Sequence, residues 1–375
     1  MSPAVPHALV TDRLRRAGEV AADQDVDLLI VTPGPDLRYL LGSDTATHER
    51  LTCLLVPAAG HLAPPAVVVP RLEAPGLAGL RLDELGVETV TWIDGEDPYL
   101  LVSDLGGGPS TMAVSDTMPA VHVLGLRDYF PDTIQTLAGP VLRELRMRKD
   151  AAEVAELRAA GAAIDRVHAR MGEFLTVGRT EAQVGADIAA AIVEEGHIRA
   201  EFVIVGSGPN GASPHHEVSD RVIESGDVVV IDIGGQLASG YFSDSTRTYA
   251  VGSEPAAAIR ESYAVLQTAQ ERAVAAVRPG ITAEQVDAAA REPIVAAGLG
   301  ERFIHRTGHG IGLDVHEDPY VVAGNARVLE EGMSFSVEPG VYFDGAWGAR
   351  IEDIVVVTAT GVERLNARPR DLVVL

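Results

Sequence analysis

The spacing of hydrophobic positions changes along the chain and divides it in two. In the first part, short apolar runs at Asp27–Val31, Leu51–Val56, Ala66–Val69 and Val87–Trp92 lie between Pro/Gly turns. Helices are predicted over Thr11–Ala22 and near Leu77–Leu85. Apolar runs of that length bounded by turn residues read as strands, and their alternation with helices reads as an α/β domain. The pattern turns helical and basic over Asp132–Lys149, where Arg143, Arg146, Arg148 and Lys149 read as a solvated face. Asp150 and Glu153 form an expected capping box. Val154, Leu157, Ile164, Val167, Met171 and Phe174 then give one long helix its apolar stripe. These shifts predict a first domain over residues 1–135, a linker over 136–150 and a second domain over 151–375.

The second domain repeats itself. Gly178-Arg179-Thr180-Glu181-Ala182-Gln183-Val184 matches Gly280-Ile281-Thr282-Ala283-Glu284-Gln285-Val286. Thr180/Gln183 and Thr282/Gln285 are both helix-starting capping boxes, and Gly196 and Gly298 close the helices that follow. Strand-like stretches Phe202–Gly208 and Phe303–Gly310 come next, and each half then reaches a hairpin carrying two acids. In the first, Asp232 interrupts the run Gly226–Gly234 and Asp244 lies beyond the turn. In the second, Glu338 interrupts Gly332–Gly340, and Glu352 lies beyond the Asp344-Gly345 turn signal. Folding each hairpin at its midpoint, Ala238 or Gly345, sets its two acids opposite each other with Cβ atoms about 4.5–5.5 Å apart. A helix over Pro255–Val277 links the halves. Matches in the same order argue for duplication and a pseudo-twofold domain with its site between the halves.

Composition narrows the class. A chain of 375 residues with 46% hydrophobic and 5% aromatic content fits an ordinary α/β protein with ample core. The formal charge of −24 argues against binding nucleic acid through the general surface. Cys53 is the only cysteine, so no disulfide forms within the chain, which suits a reducing compartment. The first twenty residues include Asp12, Arg13, Arg15, Arg16 and Glu19 and lack an apolar signal core. No stretch has the length of a membrane span. A cytoplasmic enzyme is therefore expected. Gly106-Gly107-Gly108 lacks the following Gly-Lys-Ser/Thr of a phosphate cradle and reads as a loop.

The acid pairs carry the chemistry. Like charges so placed repel, and burying them unpaired is costly. Two such hairpins point to one shared remedy, a pair of divalent cations held between them. Five of the eleven histidines fall between residues 215 and 316: His215, His216, His305, His309 and His316. Of these, His309 is the ligand candidate, because Gly308 and Gly310 permit close approach of backbone to a metal or substrate. Asp232, Asp244, Glu338, Glu352 and His309 form an oxygen-rich set that favours Mn²⁺, Co²⁺, Fe²⁺ or Zn²⁺ over a thiolate-type structural zinc. Such a pair of ions activates water and polarises a carbonyl. His7, His48, His61, His122, His168 and His197 lack ligand spacing and read as surface or hydrogen-bonded residues.

At these residues the chain resembles the pita-bread metallopeptidases, a family of Xaa-Pro dipeptidases (prolidases), aminopeptidases P and methionine aminopeptidases. The resemblance rests on Ser243-Asp244-Ser245-Thr246-Arg247-Thr248, His305-Arg306-Thr307-Gly308-His309-Gly310-Ile311-Gly312, Ser336-Val337-Glu338-Pro339-Gly340 and Arg350-Ile351-Glu352-Asp353. Pro35–Gly42 is similar to a recurrent stretch of the creatinase-type N-terminal domain found in the same family. The resemblance implies a creatinase-like N-terminal domain followed by a pita-bread catalytic domain. It implies that Asp232 chelates one metal, His309 and Glu338 hold the other, and Asp244 and Glu352 bridge both. Glu338 would also shuttle the proton, His316 would stabilise the oxyanion and His215 would contact the leaving side, with His216 as its rival. Arg350 would touch substrate or support the metal ligands, and His305 would stand behind them. Hydrolysis of the Xaa-Pro bond by two divalent ions, Mn²⁺ first, follows from the resemblance, as does a homodimer. The run Arg306–Pro319 favours a dipeptidase. Aminopeptidase P, a metal-free creatinase-like hydrolase and a non-catalytic binding relative are the alternatives.

Overall fold

The computed structural model describes residues 5–43 and 48–375. The chain forms two compact units, Met1–Arg146 and Met147–Leu375.

The first unit is a six-stranded mixed sheet with helices. Its elements run α1 (His7–Asp23), β1 (Leu28–Val31), α2 (Pro35–Leu41), β2 (Cys53–Pro57), β3 (Ala66–Pro70), β4 (Glu88–Trp92), α3 (Pro98–Gly106), β5 (Thr111–Val114), α4 (Ala120–Tyr129), β6 (Ile134–Leu137) and α5 (Gly139–Arg146). The sheet order is β4-β3-β2-β1-β5-β6. The four apolar runs form strands as expected: β1, β2 and β3 are nearly continuous buried stretches, whereas β4, at the sheet edge, buries only Trp92. The helix expected near Leu77–Leu85 is instead a 3₁₀ helix over Ala74–Leu80, ended by the left-handed backbone of Arg81 (φ 51°). The stretch Asp132–Lys149 is not one helix, because Ile134–Leu137 pairs in parallel with β5 before α5 begins. Its basic residues are not simply solvated. Arg146 pairs with Asp36 at 2.7 Å, and the buried Lys149 side chain pairs with Glu317.

The second unit begins with α6 (Ala151–Ala169), whose Asp150/Glu153 capping box is complete, and α7 (Met171–Phe174). The apolar stripe continues across both, but the helix breaks at Arg170. Next come α8 (Glu181–Glu194), β7 (Arg199–Ser207), β8 (Val228–Gln236), β9 (Phe242–Ala250), α9 (Ala257–Ala276) and α10 (Ala283–Ala296). The remaining strands are β10 (Gly308–Gly310), β11 (Glu317–Val321), β12 (Ser334–Val337), β13 (Gly340–Phe343), β14 (Trp347–Arg350), β15 (Asp353–Thr358), β16 (Gly361–Arg364) and β17 (Val373–Val374). They form a four-stranded sheet β17-β9-β8-β7, a five-stranded sheet β11-β10-β12-β15-β16 and the ribbon β13-β14.

The repeat is written into the backbone. The Thr180/Gln183 capping box is complete, and in the second half Thr282 N donates to Gln285 Oε1 at 2.8 Å. Thr180 bridges Val222 and Thr282 bridges Val328. Around them the same hydrogen bonds recur, Gly178 N to Ile223 O beside Gly280 N to Leu329 O, and Ala182 N to Ser219 O beside Glu284 N to Asn325 O. Each half has its own apolar core, one built on Ile188, Val229 and Ile231, the other on Val286, Phe335 and Val355. The halves diverge in their strands: β7 is nine residues long, whereas Phe303–Gly310 contributes only the three residues of β10, and the second hairpin is split between β12-β15 and the ribbon β13-β14.

Candidate metal centre

The two acid hairpins place their carboxylates by different registers. In the second, Val337 faces Asp353 and Gly340 faces Arg350, so Glu338 and Glu352 stand opposite each other where the ladder opens. In the first, Asp232 faces Thr246 and Asp244 faces Gly234. The expectation of directly opposed acids fails there. Leu237 N donates to Tyr241 O at 2.9 Å, which centres the turn on Ser239 and not Ala238. Asp232 and Asp244 are therefore diagonal neighbours, still on one face because the offset is even.

His309 comes from β10, held between β11 and β12. The glycines beside it serve that packing and do not open a path to a metal. A Cβ on Gly308 would lie 1.8 Å from the Ser336 carbonyl oxygen, and one on Gly310 would lie 2.2 Å from that of Asp318.

The donors converge in a cavity of about 1000 Å³ lined by Asp232, Asp244, His309 and Glu338, with His215, His305, His316, Arg306 and Arg350 also on its wall. Donor atoms of Asp244, His309 and Glu352 lie within 4.8 Å of one another, all three residues being buried. His309 Nε2 lies 3.2 Å from Glu338 Oε1 and 3.6 Å from Asp244 Oδ2. Among the described residues, two carboxylate oxygens of this acid set, Asp232 Oδ1 and Glu352 Oε1, are buried without a hydrogen-bond partner. A buried carboxylate oxygen with no donor is costly, and a divalent cation is what such a pair of atoms fits.

Residues 155–359 match metallopeptidase family M24, and residues 13–148 match the creatinase/prolidase N-terminal domain. The chain belongs to family M24. This M24 peptidase is 58% identical over 364 residues to the probable dipeptidase PepE of Mycobacterium tuberculosis, covering 97% of this chain and 96% of that protein. It is 35% identical to the Xaa-Pro dipeptidase of Lactobacillus helveticus, covering 94% and 96%. Its structure superposes on the crystal structure of dipeptidase PepE from Mycobacterium ulcerans with a TM-score of 0.94 at 56% identity, covering 99% of each chain. It is therefore a metallopeptidase, with a creatinase-type domain preceding a pita-bread domain.

The electrostatics of the M24 site follow from crowding. Burial pushes Asp244 well above the usual carboxylate range, and Glu352, Asp232 and Glu338 push it further. Glu352 is raised in the same way by burial, Glu338 and Asp232. Burial alone would also raise Glu338, but the hydrogen bond and charge of His309, with His305 and Arg350, hold it down to about 2. Cations bound here would take the place of the protons that Asp244 and Glu352 otherwise need.

The remaining expected residues separate by location. His215 is exposed and lines the cavity, whereas His216 turns away and contacts Glu181 Oε2 through Nε2 at 2.7 Å. His316 packs edge-on against His309 with ring centroids 4.1 Å apart. His305 contacts the Tyr342 hydroxyl at 2.9 Å. Arg350 is fully buried and fully engaged: it donates to Asp232 Oδ2 (2.6 Å), the Tyr342 hydroxyl (2.7 Å), Thr246 Oγ1 (3.2 Å) and the Pro214 carbonyl (3.2 Å). Sequence pattern does not predict Thr246 as a site residue, yet its hydroxyl donates to Glu352 Oε2 at 2.8 Å. Thr246 lies directly opposite Asp232 in a register that the sequence did not reveal. Nor does it predict Glu181, whose partners lie up to 38 residues away.

Proposed function

We propose that this M24 peptidase cleaves the Xaa-Pro bond of dipeptides with two divalent ions, Mn²⁺ in the first instance. The observation that carries the dinuclear reading is the pair of buried oxygens, Asp232 Oδ1 and Glu352 Oε1, that have no hydrogen-bond partner among the described residues, together with the convergence of Asp244, His309 and Glu352. The named activity of the Lactobacillus helveticus relative supports proline as the residue after the bond. Asp232, Asp244, His309, Glu338 and Glu352 hold the ions. When bound, the ions supply Lewis acidity to the scissile carbonyl and acidify a water.

The chain's own residues do the rest. Glu338 takes the proton from that water and delivers it to the leaving nitrogen. His316, at the cavity wall beside His309, donates a hydrogen bond to the oxyanion. His215 contacts the leaving side of the substrate. Arg350 keeps Asp232 in place through the 2.6 Å bond. A homodimeric cytoplasmic enzyme completes the reading.

The test compares Xaa-Pro dipeptides, Xaa-Pro-Yaa tripeptides and Xaa-Ala dipeptides after reconstitution with Mn²⁺. Preference for the Xaa-Pro dipeptide is expected. Preference for tripeptides would assign the chain to aminopeptidase P. No cleavage of any Xaa-Pro peptide by protein holding two ions would overturn the proposal.

A further inference from the structure

The segment from Ser207 to Ser219 carries Pro214 and His215 to the cavity wall with little regular structure, only a 3₁₀ turn over Gly208–Ala212. An irregular segment holds a side chain in one place only when something outside it fixes the backbone. That anchor is Glu181, in the first turn of α8 and completely buried.

Its carboxylate clasps the segment at both ends. Oε1 accepts from Ser207 N (2.8 Å), Ser207 Oγ (2.6 Å) and Asn210 Nδ2 (3.1 Å). Oε2 accepts from His216 Nε2 (2.7 Å), Ser219 Oγ (2.5 Å), Asn210 Nδ2 (3.1 Å) and Ser219 N (3.3 Å). Burial by itself would raise this carboxyl, but the bonds from Ser207, Ser219 and His216 hold it below the usual range, so it stays ionised. Bonds to an ionised acceptor are about twice as strong as neutral ones.

The far side of the segment is fixed too. A Cβ on Gly348 of β14 would lie 2.0 Å from the Gly211 carbonyl oxygen, so turn and strand pack backbone to backbone. The Pro214 carbonyl accepts from the same Arg350 nitrogen that holds Asp232. The segment is thus gripped between Glu181 and the strand that ends at Arg350. His216 serves the grip and leaves its neighbour His215 facing the cavity.

We propose that Glu181 is a positioning residue, whose charge fixes the 207–219 segment so that His215 meets the substrate in one pose. This rests on the reading of His215 as a substrate-contacting group. An ordinary buried carboxylate would stabilise the fold without regard to His215. A positioning one acts through His215, and that difference is measurable.

Glu181→Gln preserves shape but sets an amide donor against the donors of Ser219 and His216. Metal content should stay at the wild-type value while kcat/KM falls about tenfold to 10²-fold, the scale of a small misplacement of a reacting group. In a His215→Ala background the same change should cost nothing further, because the group it positions is gone. Hydrogen exchange should quicken in peptides covering 208–219 and stay unchanged in β8 and β9. Ser219→Ala, which removes one hydroxyl donor, should show the same pattern at smaller size and serves if Glu181→Gln does not fold.

Losses that multiply in the double variant, or exchange unchanged at 208–219, would overturn the proposal. If wild-type enzyme holds its ions but leaves Xaa-Pro dipeptides intact, the functional reading has failed. The exchange experiment, and the kinetic cycle run on whichever peptide is cleaved, still decide the role of Glu181.

Discussion

Arg350 Nη2 donates to Asp232 Oδ2 at 2.6 Å, and the two residues belong to different halves of the catalytic domain. The bond spans 118 positions of sequence, between the end of β14 and the middle of β8. It lets one half set the orientation of a carboxylate supplied by the other. Arg350→Met removes this partner and leaves Asp232 buried with neither oxygen paired. In metal-free protein the loss should be about 3–5 kcal/mol, the cost of breaking a buried pair from one side. Urea unfolding of both proteins measures it, and a loss under about 1 kcal/mol would contradict the account. Arg350→Lys should recover only part, since one ammonium cannot reach the guanidinium's four acceptors together.

Asp244→Ala should abolish peptidase activity and sharply lower metal content, yet leave metal-free protein as stable as wild type or more so. The carboxylate sits buried against Glu352, Asp232 and Glu338, so its removal relieves repulsion. Elemental analysis and a thermal melt in chelator test both halves of this expectation. A variant that binds two ions and turns over normally would remove Asp244 from the ligand set.

The two histidines packed edge to face should part company. His316→Ala should keep its metals and lose about 10²–10³-fold in kcat, the usual effect of removing one oxyanion donor, with a smaller change in KM. His309→Ala should lose metal, because among the proposed ligands it is the one nitrogen donor, buried between Asp244 and Glu338. Metal analysis with steady-state kinetics separates them. Metal loss in His316→Ala alone would exchange the roles.

Much of this was legible from sequence and some was not. The acids Asp232 and Glu338 stand out because each breaks a buried apolar run, and the capping boxes announce the repeat because their partners are three residues apart. Local chemistry of that kind leaves a local trace. The offset of the first hairpin does not, since moving the turn centre from Ala238 to Ser239 changes the register while leaving the residue pattern intact. The glycines around His309 were legible as positions of close approach, but not what approaches them. Thr246, Glu181 and the Arg350–Asp232 bond depend on chain brought together over long separations, and no periodicity records that.

His168 offers a test of stability against pH. It is buried beneath β9, with Nδ1 3.0 Å from the Tyr249 hydroxyl and Nε2 3.2 Å from the Ser245 carbonyl. Burial, with Arg247 nearby, holds its pKa down to about 3. In the unfolded chain a histidine titrates near 6.5. Between these values the unfolded chain binds a proton that the folded one excludes, so stability falls as pH drops through this window, by up to about 1.4 kcal/mol per unit. Above the unfolded value the effect is absent. His168→Gln should flatten the slope of unfolding free energy between about pH 6 and 5, and an identical slope in both proteins would clear His168 of the effect.

The separate cores of the two halves have a practical consequence. Asp232 and Asp244 arrive with one core, His309, Glu338 and Glu352 with the other, and Gly252–Ala256 is the short crossing between β9 and α9. A chain opened at that crossing would yield fragments that each keep an apolar interior but carry mutually repelling acids on the faces that must meet. Divalent cation would then add to the direct ties across the seam, Arg350–Asp232 and the buried Arg247–Asp353 pair, and recovered peptidase activity would follow its concentration. The duplicated architecture in this sense lends itself to a split reporter, whose two parts would meet through β17 on β9, these ion pairs and the cations bound between them.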